Sequence, residues 1–143
     1  MECIFCDHEG FRRDSAIFAE NELAIFGNLE EGGALNGSGV IVPKAHKETV
    51  FDLTPEELAA TFELLHEVRP LLDERYRPDG YNLGWNAYAV ASQFIPHAHL
   101  HVLLRFEDEP RAGDGIRYWL KQPQNRRADP FAPGRGRRDI GHL

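Results

Sequence analysis

The sequence predicts an α+β domain in which an antiparallel sheet carries one main helix. Three observations lead there. Short β-prone runs separated by turn residues fill the chain before residue 45, one strongly capped helical run follows, and two more strand-like runs come after it. The predicted order is a hairpin, a strand, a helix and two further strands. At 143 residues, 42% hydrophobic and 27% charged, the chain suits a soluble domain with a single buried core. No apolar run approaches the roughly 18 residues that would span a membrane.

Residues 16–26 read as two short strands around the polar turn Glu20-Asn21-Glu22, ending at Gly27-Asn28. Residues 30–39 are too rich in glycine and small polar side chains for regular structure and form a loop. That loop feeds the strand Val40-Ile41-Val42, which Pro43 closes. Thr54-Pro55-Glu56-Glu57 is the clearest helix start: a threonine cap, proline at the first helical position and a glutamate that completes a capping box. Leu58, Phe62 and Leu65, with Leu64 and Val68 and running on to Arg69, give an apolar stripe expected to lie on the sheet. Pro70 is expected to kink or interrupt the helix, and Arg77-Pro78-Asp79-Gly80 to end it in a turn. Residues 81–86 and 96–106 complete the strands, and low complexity is confined to the tail after about Gln122.

The net charge of −7 is unevenly spread. Residues 111–143 hold eight Lys/Arg against three Asp/Glu, and residues 1–110 hold eight against twenty. The expected division is a domain over 1–110 and a basic extension over 111–143. Arg135-Gly136-Arg137-Arg138 could attract phosphate chains. A solvated tail packed on the acidic body or on a partner subunit is the simpler reading, so no nucleic-acid or membrane partner is assigned. Met1 to Cys6 lack the basic and apolar regions of a secretory signal, which makes a reducing cytoplasm the expected location.

Three of the seven histidines stand at 97, 99 and 101, alternating with Ala98, Leu100 and Val102. On a strand the three imidazoles share one face. Packing gives no reason for that, because each buried ring would need hydrogen-bond partners of its own. Such a row either chelates a metal or acts on phosphate as nucleophile and proton donor. Separately, the spacing of Cys3-Ile4-Phe5-Cys6 lets both thiolates reach one tetrahedral metal. A redox pair and two free thiols are the other readings.

His97-Ala98-His99-Leu100-His101-Val102-Leu103-Leu104 resembles the motif of the histidine-triad family. Val40-Ile41-Val42-Pro43-Lys44-Ala45-His46 is similar to its Pro-Lys-x-His strand, and Tyr81-Asn82-Leu83-Gly84-Trp85-Asn86 to the strand that supplies a phosphate-contacting asparagine. The resemblance covers roughly residues 3–106. It implies that family's fold, with two sheets joined across a homodimer. It also implies a hydrolase or transferase acting on nucleoside phosphoramidates, dinucleoside polyphosphates or similar nucleotidyl donors, through a covalent nucleotidyl-histidine. His99 would be the nucleophile, His101 a phosphate contact and Gln93 a neighbour of the leaving oxygen. Asn86 would meet the phosphate, Phe26, Ile4 and Phe5 a purine base and Asn28 the ribose, with Ser92 in the nucleotide-binding loop beside Gln93.

In the branch with an N-terminal Cys-x-x-Cys, the resemblance implies one structural zinc per chain on Cys3, Cys6, His46 and His97. Ser38 stands where many members carry a histidine, and Ser92 where glycine is usual. These departures leave a non-catalytic nucleotide-binding module of the same fold as the alternative, with a metalloenzyme whose open metal sits on the three histidines as a further rival.

Overall fold

Asn21 makes the first turn: its side-chain oxygen accepts from the amides of Leu23 (3.1 Å) and Ala24 (2.9 Å), as asparagine does where a chain reverses. The turn therefore lies one residue later than the sequence suggests. It separates β1 (Phe18–Glu20) from β2 (Ala24–Asn28), and β2 runs on through Gly27 and Asn28. Its pairing with β3 (Gly39–Pro43) sets Ile25 opposite Val42 and Gly27 opposite Val40. β4 (Gly80–Trp85) and β5 (Leu100–Arg105) complete one five-stranded antiparallel sheet, ordered β1-β2-β3-β5-β4. The computed structural model describes residues 3–28 and 33–134. Part of the 30–39 loop and the arginine cluster at 135–138 lie outside these residues.

The helix between β3 and β4, α2 (Pro55–Tyr76), begins at the Thr54 cap as expected. Thr54 Oγ accepts from Glu57 N, and the Glu57 carboxylate accepts from Thr54 N. Two expectations about it are corrected. Pro70 lies inside a helix that continues for 22 residues. It occupies the exposed side, where water can satisfy the carbonyl that its missing N–H leaves unpaired, while Leu64, Val68 and Leu72 hold the buried side down across it. The buried stripe is also rotated: it comprises Glu57, Ala60, Thr61, Leu64, Val68 and Leu72, whereas Phe62 is exposed and Leu58 and Leu65 are half-buried. Small Ala60 and Thr61 let the helix approach the sheet closely, and Phe62 instead meets Trp85 edge-on. Arg77 ends the helix in the left-handed region at φ 52°, ahead of Pro78.

Alternation then sorts the strands onto two faces. Ala24, Phe26, Ile41, Leu100, Val102 and Leu104 pack with α2 in the main core. Ile25 and Val42 point the other way, into a second cluster with Phe5, Phe11, Phe18 and Val40. That second face is covered by the N-terminal segment and by α1 (His8–Asp14), a helix the sequence reading did not identify. Asp7 caps it by accepting from Gly10 N, and Arg12 and Arg13 sit in its last turn.

The last strand is shorter than the predicted 96–106. Pro96 has no N–H to give a ladder, and Ala98 N donates to Lys47 O instead of to a neighbouring strand. The triad thus begins in a braced segment and enters the sheet only at Leu100.

Candidate active site and metal centre

His101 lies on the sheet face away from α2, flanked across the ladders by Val40 and Gly84. The His99 ring stands 4.8 Å from the His101 ring and 5.1 Å from Phe5, which puts both imidazoles beside the second, N-terminal cluster. His97 turns elsewhere: it is fully buried, and its ring faces Cys3, Cys6 and His46. All three rings still lie on the side of the sheet that the N-terminal segment covers, His97 meeting Phe5 edge-on at 6.0 Å, although the segment before Leu100 is not a strand.

Hydrogen bonds fix both tautomers. His99 Nδ1 donates to His97 O at 2.8 Å, so Nε2 carries the free lone pair. His97 Nε2 donates to Pro43 O at 2.9 Å, so its Nδ1 is unprotonated and aims at the two cysteines. Burial holds His97 below the usual histidine value. It does the same to His101, where the neighbouring His99 adds a smaller effect. His101 Nε2 is buried with no hydrogen-bond partner among the described residues, an orphan that an anionic oxygen would satisfy.

A neutral buried His101 ties stability to pH. Its folded value lies below the unfolded value of about 6.5, so its contribution is present above about pH 6.5 and lost as pH falls below it. The melting temperature is expected to drop between pH 7 and pH 5.5, and to drop less in His101→Gln. Equal slopes in the two proteins would overturn this.

Cys3, Cys6, His46 and His97 bring their ligand atoms within 4.8 Å of one another. Cys3 Sγ and Cys6 Sγ lie 3.3 and 3.5 Å from His97 Nδ1, Cys6 Sγ lies 3.3 Å from His46 Nδ1, and the two Nδ1 atoms are 3.2 Å apart. Edges of about 3.3–3.8 Å are what a tetrahedron drawn at metal–ligand bonds of about 2.0–2.3 Å requires. The cluster could therefore hold a metal ion, and His8 is not part of it.

A cleft of about 550 Å³ is walled by Ile4, Phe5, Phe11 and Val40, with Asp14 and Ser15 also on its lining, and Phe5 links it to the His99 ring 5.1 Å away. Ile4 and Phe5, the residues expected to face the base, both lie on its lining. Phe26 does not: at 0% exposure it is enclosed in the α2-facing core, because its position on β2 has the opposite parity. Gly27 lines the cleft in its place. Phe11 was not anticipated, although an Asp cap followed by an aromatic and two arginines is a legible sign of a short helix.

A side chain at Gly27 would overlap the Phe11 ring and Ser15 Oγ. Gly27→Ala is expected to cost about 1–3 kcal/mol and to raise KM by pushing Phe11 into the cleft. Unchanged melting and KM would contradict this.

The remaining predicted residues brace the site. Asn28 is buried, accepting from Ile17 N (2.7 Å) and donating to Gly37 O (2.9 Å), and it also lies on the lining of the cleft. Both ends of Gln93 are engaged: Oε1 accepts from Tyr88 N, while Nε2 donates to Glu48 O and Ile95 O. Gln93 thereby clamps the loop between β4 and the triad. Ser92 adopts φ 76°, which explains a preference for glycine there. Asn86 directly follows Trp85, the last residue of β4, whose ladder partner is Leu100. Ser38 Oγ accepts from Leu104 N at 3.0 Å, which makes it a link between β3 and β5.

Comparison with known proteins agrees with this arrangement. An uncharacterized 16.1 kDa HIT-like protein of Mycoplasma pneumoniae is 32% identical over 124 residues, covering 87% of this chain and 83% of its own. The adenosine 5'-monophosphoramidase hnt1 of Schizosaccharomyces pombe is 27% identical over 86% of each chain. A zinc-bound histidine triad family protein from Mycobacterium smegmatis shares the fold with a TM-score of 0.64, at 24% identity over 77% of this chain and 79% of that one. The HIT domain profile matches residues 15–108, a span that holds the triad, the Pro-Lys-x-His strand and the clamped loop, and the chain belongs to the HIT domain family.

Proposed function

We propose that the protein is a nucleotidyl hydrolase or transferase that attacks the α-phosphorus of purine nucleotide conjugates with His99. The observation that carries this reading is the hydrogen bond from His99 Nδ1 to His97 O, which leaves the Nε2 lone pair free on a ring 4.8 Å from that of His101, whose Nε2 has no partner among the described residues. Nε2 forms a bond to phosphorus as the bond to the leaving amine or phosphate breaks, and the leaving group takes a proton from solvent. Water, or another acceptor in a transfer, then displaces the nucleotide and regenerates neutral His99. His101 and Asn86 stabilise the charge on the non-bridging oxygens. Ile4, Phe5 and Phe11 hold the base, and Gln93 acts as a positioning residue through the loop it clamps. The phosphoramidase activity named for the hnt1 relative supports phosphorus–nitrogen bonds among the substrates.

We assign zinc to Cys3, Cys6, His46 and His97, since two thiolates and two imidazoles form a closed tetrahedral set. When bound, the ion supplies a cross-link and leaves no open coordination position for substrate. The zinc-bound relative supports that choice.

Intact-mass analysis after brief exposure to an adenosine phosphoramidate tests the reading. Wild type is expected to gain one adenylyl group and His99→Ala none. A wild type that neither gains the adduct nor turns over donor would favour the binding-module alternative.

A further inference from the structure

The turn that brings Ile4 and Phe5 to the cleft also carries both thiols of the chain. Cys6 N donates to Cys3 O at 3.0 Å, which closes a four-residue turn. Such a turn holds its end Cα atoms within about 7 Å, and a disulfide spans about 4.4–6.8 Å between them, so the pair can be joined with little backbone movement. The sulfurs already converge, since Cys3 Sγ and Cys6 Sγ lie 3.3 and 3.5 Å from the same His97 Nδ1. Cys6 is exposed and Cys3 half-buried, so a small oxidant reaches the cluster from solvent.

The same turn reaches the chemistry. The Phe5 ring lies 6.0 Å from that of His97 and 5.1 Å from that of His99, and His97 O accepts the His99 Nδ1 proton at 2.8 Å. Whatever holds the two thiolates on His97 therefore also holds the cleft wall against the nucleophile. We propose that Cys3 and Cys6 are a reversible redox switch, closing to a disulfide under hydrogen peroxide, expelling the metal and lowering activity. The Cys6 thiolate attacks peroxide, forming a sulfenic acid as the O–O bond breaks and hydroxide leaves. The Cys3 thiolate then attacks the Cys6 sulfur, the S–S bond forms and a second hydroxide departs. The sulfurs lose two electrons, the peroxide gains them, and two protons from solvent complete two waters. A disulfide has no thiolate charge to bind zinc, so the ion leaves. The metal and activity parts of this inference rest on the zinc and the nucleotidyl chemistry proposed above, whereas the disulfide rests on neither.

Peroxide titration of the full chain tests it, with zinc release followed by a chromogenic chelator. The tryptic peptide Met1–Arg12, which holds both cysteines, is weighed with and without iodoacetamide. Zinc is expected to leave as this peptide loses two hydrogens and stops taking up iodoacetamide, with kcat/KM for an adenosine phosphoramidate falling about 10–100-fold. Dithiothreitol with added zinc should restore all three. Cys6→His, which keeps four ligands but only one sulfur, is expected to hold its zinc and its own kcat/KM through the same titration. Zinc that stays bound with both thiols still alkylated overturns the proposal, as do sulfinic or sulfonic products in place of the disulfide. Untreated protein without zinc overturns the metal assignment and the proposal together. Turnover already absent before peroxide counts against the assigned chemistry, and turnover that disulfide formation leaves unchanged counts against the switch.

Discussion

His99→Ala is expected to lower turnover of an adenosine phosphoramidate by about 10⁴-fold or more, while the protein stays folded and keeps its metal. The size follows from the role. When a covalent nucleophile is removed, the two easier steps collapse into one direct attack by water, and the remaining groups supply only binding and charge stabilisation. His101→Ala removes charge stabilisation alone and is expected to cost about 10²–10³-fold. The two variants therefore rank the rings in an order that a shared metal-binding role would not produce. Steady-state rates on both, read beside their melting curves, decide the matter. A His99→Ala enzyme within tenfold of wild type would remove His99 from the chemistry.

The candidate metal cluster was the most legible part of the chain, because side-chain identity and spacing carry it directly. Three alternating histidines, the Cys-x-x-Cys pair and a histidine after Pro-Lys are visible without coordinates, and the structure brings Cys3, Cys6, His46 and His97 together across 94 residues of chain. The helix start at Thr54 was equally legible, since a capping box is a local signal. What escaped is set by long-range geometry. That the strand begins only at Leu100 depends on Ala98 N finding Lys47 O, a bond that no period in the sequence encodes.

The parity of β2 escaped for the same reason. Phe26 and Gly27 are adjacent, and only the register Phe26↔Ile41 and Gly27↔Val40 says which of them meets α2 and which meets the cleft. Helix phase failed because Ala60 and Thr61, small residues that hydropathy counts lightly, make the close approach that Phe62 could not.

Removal of the metal is expected to lower the melting temperature by about 10–15 °C and to slow turnover without moving the chemistry away from His99. Cys3 Sγ lies 3.3 Å from His97 Nδ1, and His97 O accepts the His99 Nδ1 proton at 2.8 Å, so the cluster and the nucleophile share a single residue. In Cys3→Ser the cross-link from the N-terminal segment to this residue is lost, which costs about 3–5 kcal/mol. At about 2–4 °C per kcal/mol for a domain of this size, that spans about 6–20 °C, with the stated shift at its centre. Burial also pushes the Cys6 thiol up, so in the absence of metal it is protonated at neutral pH. Metal uptake then releases protons, and affinity is expected to weaken as pH falls. Metal content separates this role from a catalytic ion: about one equivalent in wild type, none in Cys3→Ser, and one still in His99→Ala and in His101→Ala. Metal that persists without Cys3 but leaves with His99 and His101 would place the ion on the reacting rings. Identical melting with and without chelator would deny it any structural part.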